Sequence, residues 1–177
     1  ITSTTYFHRI AYIGSCTLTS NMVTITIVPA ISSNSVLADQ SFCGGGDPAV
    51  LIGSSPTGGT GVYTYLWYSS TDNITFAPIG SATNQNYDPG NLTVTTYFYR
   101  EVTSSVCSSN SNVVTITVVP VINDNTIDSY QRFCDSGDPV TINGSTPTGG
   151  TGSYTYVGEI STNGITWTPI IGANGIS

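Results

Sequence analysis

Few side chains in this sequence have the chemistry for acid–base or metal catalysis. The 177 residues include one histidine, four cysteines, ten acidic residues and three arginines, with no lysine. The sequence contains an internal repeat with an offset of 91 residues, and at this offset His8 corresponds to Tyr99. A general base would be expected to recur in the next copy, so we interpret His8 as a strand-surface residue. No cluster of histidine and carboxylates has zinc-site spacing, and no serine or cysteine has a repeated base partner. The chain is therefore predicted not to be an enzyme.

Two further motifs resemble ligand sites. Asp47 and Asp138 follow turns that contain glycine, and carboxylates at such turns are compatible with calcium, which prefers oxygen ligands. A lone aspartate at a turn more commonly caps the backbone. The run Pro56–Gly61 resembles a phosphate loop, yet it has no lysine and leads into a strand pattern rather than a helix. No metal or other cofactor is expected.

The charge balance limits the partners. Net charge is −7 and only 7% of the residues are charged. Nucleic acid and anionic membrane surfaces bind basic proteins, so neither is an expected partner. No stretch approaches the roughly 20 apolar residues of a membrane span, so membrane insertion is not predicted. Because the sequence starts inside a repeat, it reads as a piece of a longer protein.

The chain is one unit repeated at a fixed offset of 91 residues. Thr4–Phe7 returns as Thr95–Phe98, and Pro56–Gly61 returns unchanged as Pro147–Gly152. No insertion or deletion interrupts the register, and about half of the overlapping positions are identical. Regular repeats usually build arrays in which each unit supplies spacing and a repeated surface. This organisation favours a stalk, a filament or an adhesin over an enzyme.

Alternating β-branched residues mark the strands and the domain boundaries. Residues 23–28 and 113–119 alternate aliphatic and hydroxyl side chains, which is the pattern of a half-buried strand. Each run ends at a proline, which cannot continue a strand ladder. The predicted domains are the last strands of one repeat in residues 1–29, a complete repeat in 30–120, and the first part of the next in 121–177.

Residues 30–120 are predicted to hold about seven short antiparallel strands. The first lies near residues 31–36 with a continuation to Phe42, and the second covers residues 49–53. Hairpin turns are expected at Asp72-Asn73 and at the equivalent Asn163-Gly164.

An aromatic pattern indicates the core. Tyr63, Tyr65 and Trp67 share one face of a predicted central strand, and Tyr97 opens the sixth strand. Short strands with these aromatics are typical of an immunoglobulin-like sandwich. The predicted fold class is all-β, as tandem immunoglobulin-like β-sandwich repeats with a 91-residue period. The predicted structural core residues are Tyr65, Trp67, Tyr97, Tyr156 and Trp167.

The second copy departs from this pattern at one core position. Gly158 stands where the first copy has Trp67, and Trp167 replaces Phe76. Loss of a buried tryptophan costs about 3–5 kcal/mol in an unchanged core, and Trp167 compensates only in part.

Exposed tyrosines such as Tyr12 and Tyr68 have the chemistry to contact sugars, but they do not repeat. The sequence does not choose between packing and ligand binding for them.

Several chained motifs carry a family resemblance. Cys43 with the following glycines and Asp47-Pro48, the run Pro56–Trp67, and the run Cys107–Val118 are similar to the repeats of very large Bacteroidetes surface proteins. The nearest are the SprB-type gliding-motility adhesins. The resemblance implies secretion to the cell surface, tandem immunoglobulin-like domains in a filament, and cell adhesion or gliding motility. Expected partners are neighbouring repeats and extracellular surfaces or polysaccharide.

Two other roles stay open beside the adhesin. One is a passive structural stalk or sheath filament whose binding function lies elsewhere. The other is a spacer in a secreted polysaccharide-degrading enzyme.

Four cysteines, two in each period, indicate an oxidising exterior and a disulfide framework. Cys16 and Cys43 recur as Cys107 and Cys134. A Cys43–Cys107 bond within one repeat is one pairing. In the predicted sandwich, however, these residues lie at opposite ends, roughly 30 Å apart, and a disulfide needs Cα atoms within about 7 Å. The other pairing crosses each domain junction, with Cys43 bonded to a counterpart of Cys16 two periods further along. Two buried free thiols per repeat are the third possibility.

Overall fold

The computed structural model describes residues 1–128 and 130–172. Its regular secondary structure is β throughout, so the predicted all-β class is confirmed. Within the described residues, no helix is long and apolar enough to cross a membrane. The strands are β1 (Thr5–Phe7), β2 (Ile10–Ile13), β3 (Cys16–Thr19), β4 (Val23–Ile25), β5 (Gln40–Cys43), β6 (Thr64–Ser70), β7 (Ala77–Pro78), β8 (Thr96–Ser104), β9 (Cys107–Asn110), β10 (Val114–Val119), β11 (Glu159–Ile160) and β12 (Thr168–Pro169).

The chain divides into two compact units. The first contains residues 1–39, 49–89 and 96–115. The second contains residues 40–48 and 90–95 and the chain from residue 116 onward. These units group residues that contact one another, and they do not test the domain boundaries predicted at Pro29 and Pro120. Those boundaries stay a prediction.

The first unit is built from antiparallel pairs. Strand β6 pairs with β7 on one side and with β8 on the other, and β8 also pairs with β9. At the N-terminus β1 pairs with β4, and β2 pairs with β3. The alternating burial along β8 places five residues against the core and four on the outer face. The buried apolar residues of this unit are Val36, Leu51, Trp67, Ala82, Phe98, Val102 and Val114.

One strand pair of the second unit contradicts the prediction of antiparallel strands only. Strand β5 runs parallel to β10, with Cys43 opposite Val119. The pairing continues past the end of β5, where the N–H of Gly44 donates to the carbonyl of Val119 at 2.8 Å. Alternation of side chains does not distinguish parallel from antiparallel neighbours, so the sequence held no signal for this pair. In the same unit β11 pairs antiparallel with β12.

The first two predicted strands of the 30–120 repeat are not continuous. Residues 31–36 and 49–53 make single bridges instead, Ser32 with Thr57 and Val36 with Gly53. Ser33 has a φ of 58°, which interrupts an extended strand. The Ser54 hydroxyl occupies the gap, since it donates to the carbonyl of Ser33 at 2.5 Å and accepts from the N–H of Ser35 at 2.8 Å. Side-chain hydrogen bonds thus replace part of the predicted ladder.

The 91-residue repeat of the sequence is also a repeat of backbone conformation. The reciprocal Ser32–Thr57 backbone hydrogen bonds return between Asn123 and Thr148, with all four at 2.9 Å. In the glycine-rich loop Gly58 has a φ of 81°, and its counterpart Gly149 has a φ of 80°. A Cβ at either glycine would overlap a backbone carbonyl, so only glycine fits there. This loop is therefore a structural turn, as its lack of lysine indicated.

Candidate functional site

An aromatic surface lies on the outer face of the first unit. We define the aromatic platform as Tyr68 on β6, Tyr99 and Glu101 on β8, and Phe76 just before β7. Tyr68 and Tyr99 are opposite each other across the two strands, and their rings stack with centroids 4.7 Å apart and planes 7° apart. Phe76 contacts the edge of Tyr99 at 4.9 Å. All four side chains are half-buried, so ring surface is available to solvent.

The side chain of Glu101 lies at one end of the platform, beside the Tyr68 hydroxyl. Its Oε2 accepts a hydrogen bond of 2.9 Å from the Tyr68 hydroxyl. That bond, burial and the Glu101 charge together raise the pKa of Tyr68. Burial, followed by the Glu101 charge, also raises the pKa of Tyr99. Both phenols therefore stay neutral at ordinary pH, and the platform presents flat apolar rings beside one carboxylate.

Beneath the platform, the inner face of β8 carries a buried arginine. Arg100 is fully buried, opposite Trp67 on β6. Its guanidinium donates from Nη2 to Asn34 Oδ1 at 2.8 Å and to the carbonyl of Ser54 at 2.9 Å, and from Nη1 to the carbonyl of Gln85 at 2.9 Å. We call these acceptors, together with the ring of Tyr65, the arginine cage.

The cage satisfies the hydrogen-bond donors of the guanidinium through neutral oxygen acceptors. Arg100 lies over the Tyr65 ring, with its Cζ 5.0 Å from the ring centroid. Burial lowers the pKa of Arg100, yet a guanidinium stays protonated in proteins because its ordinary pKa exceeds 12. A Cβ at Gly53 would overlap the guanidinium, so a glycine is needed to admit it. Arg100 ties residues distant in sequence into one core.

A protein-family model described as Domain of unknown function (DUF8696) matches residues 32–120, which is half of the chain. The chain belongs to the DUF8696 family. The matched residues include the whole aromatic platform and the whole arginine cage. A search of curated proteins finds no match.

The platform belongs to the DUF8696 match and is not repeated outside it. At the offset of 91 residues, Tyr99 and Glu101 correspond to His8 and Ile10, and Tyr68 corresponds to Glu159. His8 is exposed beyond the end of β1, where its imidazole has no role in a repeated site. The arginine of the cage, in contrast, is repeated as Arg9. The platform thus occurs in one repeat, whereas the arginine recurs at the offset of 91 residues.

The predicted core residues are buried to different degrees. Trp67 is fully buried in the DUF8696 match, and its Nε1 donates to the carbonyl of Asn84 at 2.9 Å. Tyr65, Tyr97 and Tyr156 are half-buried, and Phe98 rather than Tyr97 faces the core. Trp167 is 54% exposed, so it is not a core residue in the described chain. It does not fill the space above Gly158; both residues line an open cleft.

The four predicted structural cysteines are free thiols in the described chain. Cys107 is half-buried, and its Sγ lies 3.9 Å from the carbonyl oxygen of Val28. The Sγ of Cys43 lies 3.8 Å from the carbonyl oxygen of Pro120. Cys16 and Cys134 are exposed. The pairing of these cysteines stays a prediction.

Among the described residues no three or more histidine, cysteine or acidic side chains cluster as metal ligands would. Asp47 and Asp138 are accordingly not members of any such cluster.

A turn aspartate between β6 and β7 has a lowered carboxyl pKa. Asp72 Oδ1 accepts hydrogen bonds from the Ser70 hydroxyl at 2.7 Å and from the N–H groups of Thr75 and Ile74 at 2.7 and 2.8 Å. These bonds lower the pKa of Asp72 to about 2. The counterpart Asn163 makes the same two backbone contacts at 2.9 Å. The predicted hairpin turns are confirmed at both places.

Acid is expected to destabilise this turn, and Asp72→Asn is expected to remove that pH dependence. The folded pKa of Asp72 lies below its ordinary value of about 3.9, so its stabilising effect is complete above about pH 4 and is lost as pH falls towards 2. We expect the variant to fold at neutral pH, because Asn163 supports the same turn. Thermal unfolding from pH 7 to pH 2 measures the effect. The Tm difference between wild type and variant should change below about pH 4; a constant difference would contradict the prediction.

Proposed function

We propose that this chain is a repeat segment of a secreted, filamentous cell-surface adhesin that serves attachment and gliding motility. The observation that carries the proposal is the aromatic platform, in which stacked Tyr68 and Tyr99 and the edge-on Phe76 form a surface beside Glu101. Flat aromatic rings pack against the apolar C–H faces of sugars, and a carboxylate accepts hydrogen bonds from their hydroxyls. The proposed ligand class is extracellular polysaccharide.

The charge of the chain favours neutral polysaccharides over acidic ones. Net charge is −7, and Glu101 adds a carboxylate at the platform itself. An acidic polymer would bring like charges together at the platform, which costs binding energy. One platform is a small contact, so attachment depends on many copies acting together.

Replacement of Tyr99 by alanine tests the platform. Tyr99 contacts both Tyr68 and Phe76, so its loss breaks the stack and is expected to weaken binding about 3-fold to 10-fold. Affinity electrophoresis through gels that contain xyloglucan, galactomannan or alginate measures this. Retardation should occur with a neutral polymer and decrease in the variant.

Tyr12→Ala is the matched control, because Tyr12 is 70% exposed and lies outside the platform. It should leave retardation unchanged. Equal retardation by alginate, or equal loss in both variants, would exclude the platform as a binding site for neutral polysaccharide.

A passive structural filament is the second candidate. The observation that favours it is that the backbone hydrogen bonds repeat at 91 residues while the platform occurs only once. Fluorescent antibody against residues 30–120, applied to live cells that make the protein, separates the two roles. Label that moves along the cell, with attachment lost on antibody addition, supports the adhesin. Label in static fibres, with attachment unchanged, supports the filament.

A further inference from the structure

The hairpin between β11 and β12 contains an asparagine followed by a glycine, Asn163-Gly164. In such a pair the backbone nitrogen of the glycine can attack the side-chain amide carbon of the asparagine, because glycine has no Cβ to obstruct the approach. The attack closes a succinimide ring and releases ammonia. Both residues are exposed, so water reaches the amide. The groups around the amide then decide how fast the ring closes.

The amide oxygen of Asn163 accepts hydrogen bonds from three neighbouring groups. The N–H groups of Ile165 and Thr166 both donate to Oδ1 at 2.9 Å. The Ser161 hydroxyl donates to the same oxygen at 3.0 Å. Attack on the amide carbon develops negative charge on Oδ1, and donors that already point at the oxygen stabilise this charge without rearrangement. The turn therefore forms an oxyanion hole for its own side chain.

The equivalent hairpin of the complete repeat shows that this turn stabilises negative charge on Oδ1. There Asp72 occupies the position of Asn163, and its Oδ1 accepts hydrogen bonds from Ser70, Thr75 and Ile74 in the same way. These bonds lower the pKa of Asp72 to about 2. Asp72 is also exposed within its complete repeat. Neither the contacts nor the exposure therefore depend on how much of a repeat surrounds the hairpin.

The attacking nitrogen has a proton acceptor in place. The N–H of Gly164 donates to Ser161 Oγ at 2.9 Å, and the Ser161 hydroxyl donates in turn to Asn163 Oδ1. As the Gly164 nitrogen bonds to the amide carbon, its proton passes to Ser161 Oγ and the serine proton passes to Oδ1. Ser161 thus moves a proton between the two reacting groups and ends unchanged, which is general acid–base catalysis.

We propose that Asn163 is a self-catalysed deamidation site. The Oδ1 proton of the tetrahedral intermediate passes to the amide nitrogen, the bond from the carbon to that nitrogen breaks, and ammonia leaves. Water then opens the succinimide to aspartate or isoaspartate, either of which is negatively charged at neutral pH. Opening to aspartate gives this hairpin the carboxylate that Asp72 supplies in the first one. The reaction does not depend on sugar binding by the platform.

Another Asn-Gly pair, Asn143-Gly144, provides a comparison within the same chain. It is also exposed, but its amide is held by the nitrogen rather than by the oxygen. Nδ2 and the backbone N–H of Asn143 donate to Asp128 Oδ2 at 2.8 and 3.1 Å. A nearby carboxylate opposes negative charge on the amide oxygen. We expect Asn163 to deamidate about 10-fold faster than Asn143 in the folded chain.

Peptide mapping by mass spectrometry tests the proposal, because it follows conversion at each asparagine separately during incubation at neutral pH. A parallel incubation in guanidinium chloride removes the turn but keeps both Asn-Gly pairs. The ratio of the Asn163 rate to the Asn143 rate should fall from about 10 in the folded chain to about 1 in denaturant. An equal ratio in both conditions would overturn the proposal, because the turn would then have no part in the reaction.

Two substitutions separate the proton relay from the attacking nitrogen. Ser161→Ala keeps both backbone donors to Oδ1 and is expected to slow conversion of Asn163 about 10-fold. Gly164→Asn copies the first hairpin, where Asn73 has a φ of 57° against 68° at Gly164, so the turn is kept while a side chain obstructs the attack. It should slow conversion at least as much. Ser70→Ala, which removes the equivalent hydroxyl from the first hairpin, is the matched control and should leave the Asn163 rate unchanged.

The direction of the Ser161→Ala effect distinguishes a catalytic serine from a structural one. A serine that only braced the turn would loosen it when removed, and conversion of Asn163 would then stay equal or become faster. Slower conversion, with far-UV circular dichroism unchanged, supports the proton relay. Equal or faster conversion in this variant would overturn the proposal.

Discussion

Replacement of Arg100 by methionine is expected to lower the free energy of unfolding of the first unit by about 3–5 kcal/mol. Methionine keeps much of the apolar stem but removes a guanidinium that Asn34, Ser54 and Gln85 surround. Their oxygens then stay buried without a donor, and each such loss costs about 1–3 kcal/mol. Removal of one member of a satisfied buried network is more costly than the net stabilisation that the network provides.

Urea unfolding followed by Trp67 fluorescence measures this change. A Trp167→Phe background leaves the buried Trp67 as the only tryptophan reporter. Arg9→Met is the matched control, since Arg9 is exposed. Arg100→Lys should give an intermediate loss, because an ammonium keeps the charge but not the planar fork of donors. Equal midpoints for Arg100→Met and Arg9→Met would show that the cage contributes no stability.

Replacement of Trp67 by alanine is expected to cost about 3–5 kcal/mol in the same unit. The side chain is fully buried, lies 5.6 Å from the Tyr87 ring between centroids, and donates to the Asn84 carbonyl. Truncation removes these contacts and leaves a cavity next to Arg100, its cross-strand neighbour. The surrounding strands relax only in part. The free energy of unfolding therefore falls both because buried apolar atoms are removed and because a cavity is left behind.

Far-UV circular dichroism during urea unfolding measures this loss without a tryptophan signal. Trp167→Ala is the matched control and should change stability by less than about 1 kcal/mol, because Trp167 is half exposed. Trp67→Phe should lose less stability than Trp67→Ala and more than Trp167→Ala, since it loses the hydrogen bond and part of the side-chain volume. Similar losses for Trp67→Ala and Trp167→Ala would place both tryptophans in comparable environments, contrary to the structure.

The long strands were predictable because their side chains alternate. The run 113–119 predicted β10, and the aromatic run ending at Trp67 predicted β6 with the buried tryptophan on its inner face. Residues 31–36 and 49–53 alternate less clearly, and their bridges depend on hydroxyl contacts such as that of Ser54. Such contacts are made between segments distant in sequence, so alternation within either segment does not report them.

The candidate site was only partly predictable. The sequence predicts that Tyr68 is an exposed tyrosine, but its stacking on Tyr99 depends on the cross-strand register of β6 and β8. Arg100 was not assigned a role, although its repetition as Arg9 in a chain with three arginines was a usable signal. A charged residue in an alternating strand occupies an apolar position only when its partners come from other segments, and those partners were not visible in the pattern.

The sequence by itself determined the all-β class, the 91-residue period, the turn chemistry of glycines and Asp72, and the lack of a basic surface. These follow from local propensity, periodicity and composition, which act within a few residues of each position. Only the tertiary structure decided the parallel β5–β10 pair, the aromatic platform and the cage around Arg100. Each of these depends on which distant segments become neighbours and in which register, because a pairwise contact exists only after the strands have been placed side by side.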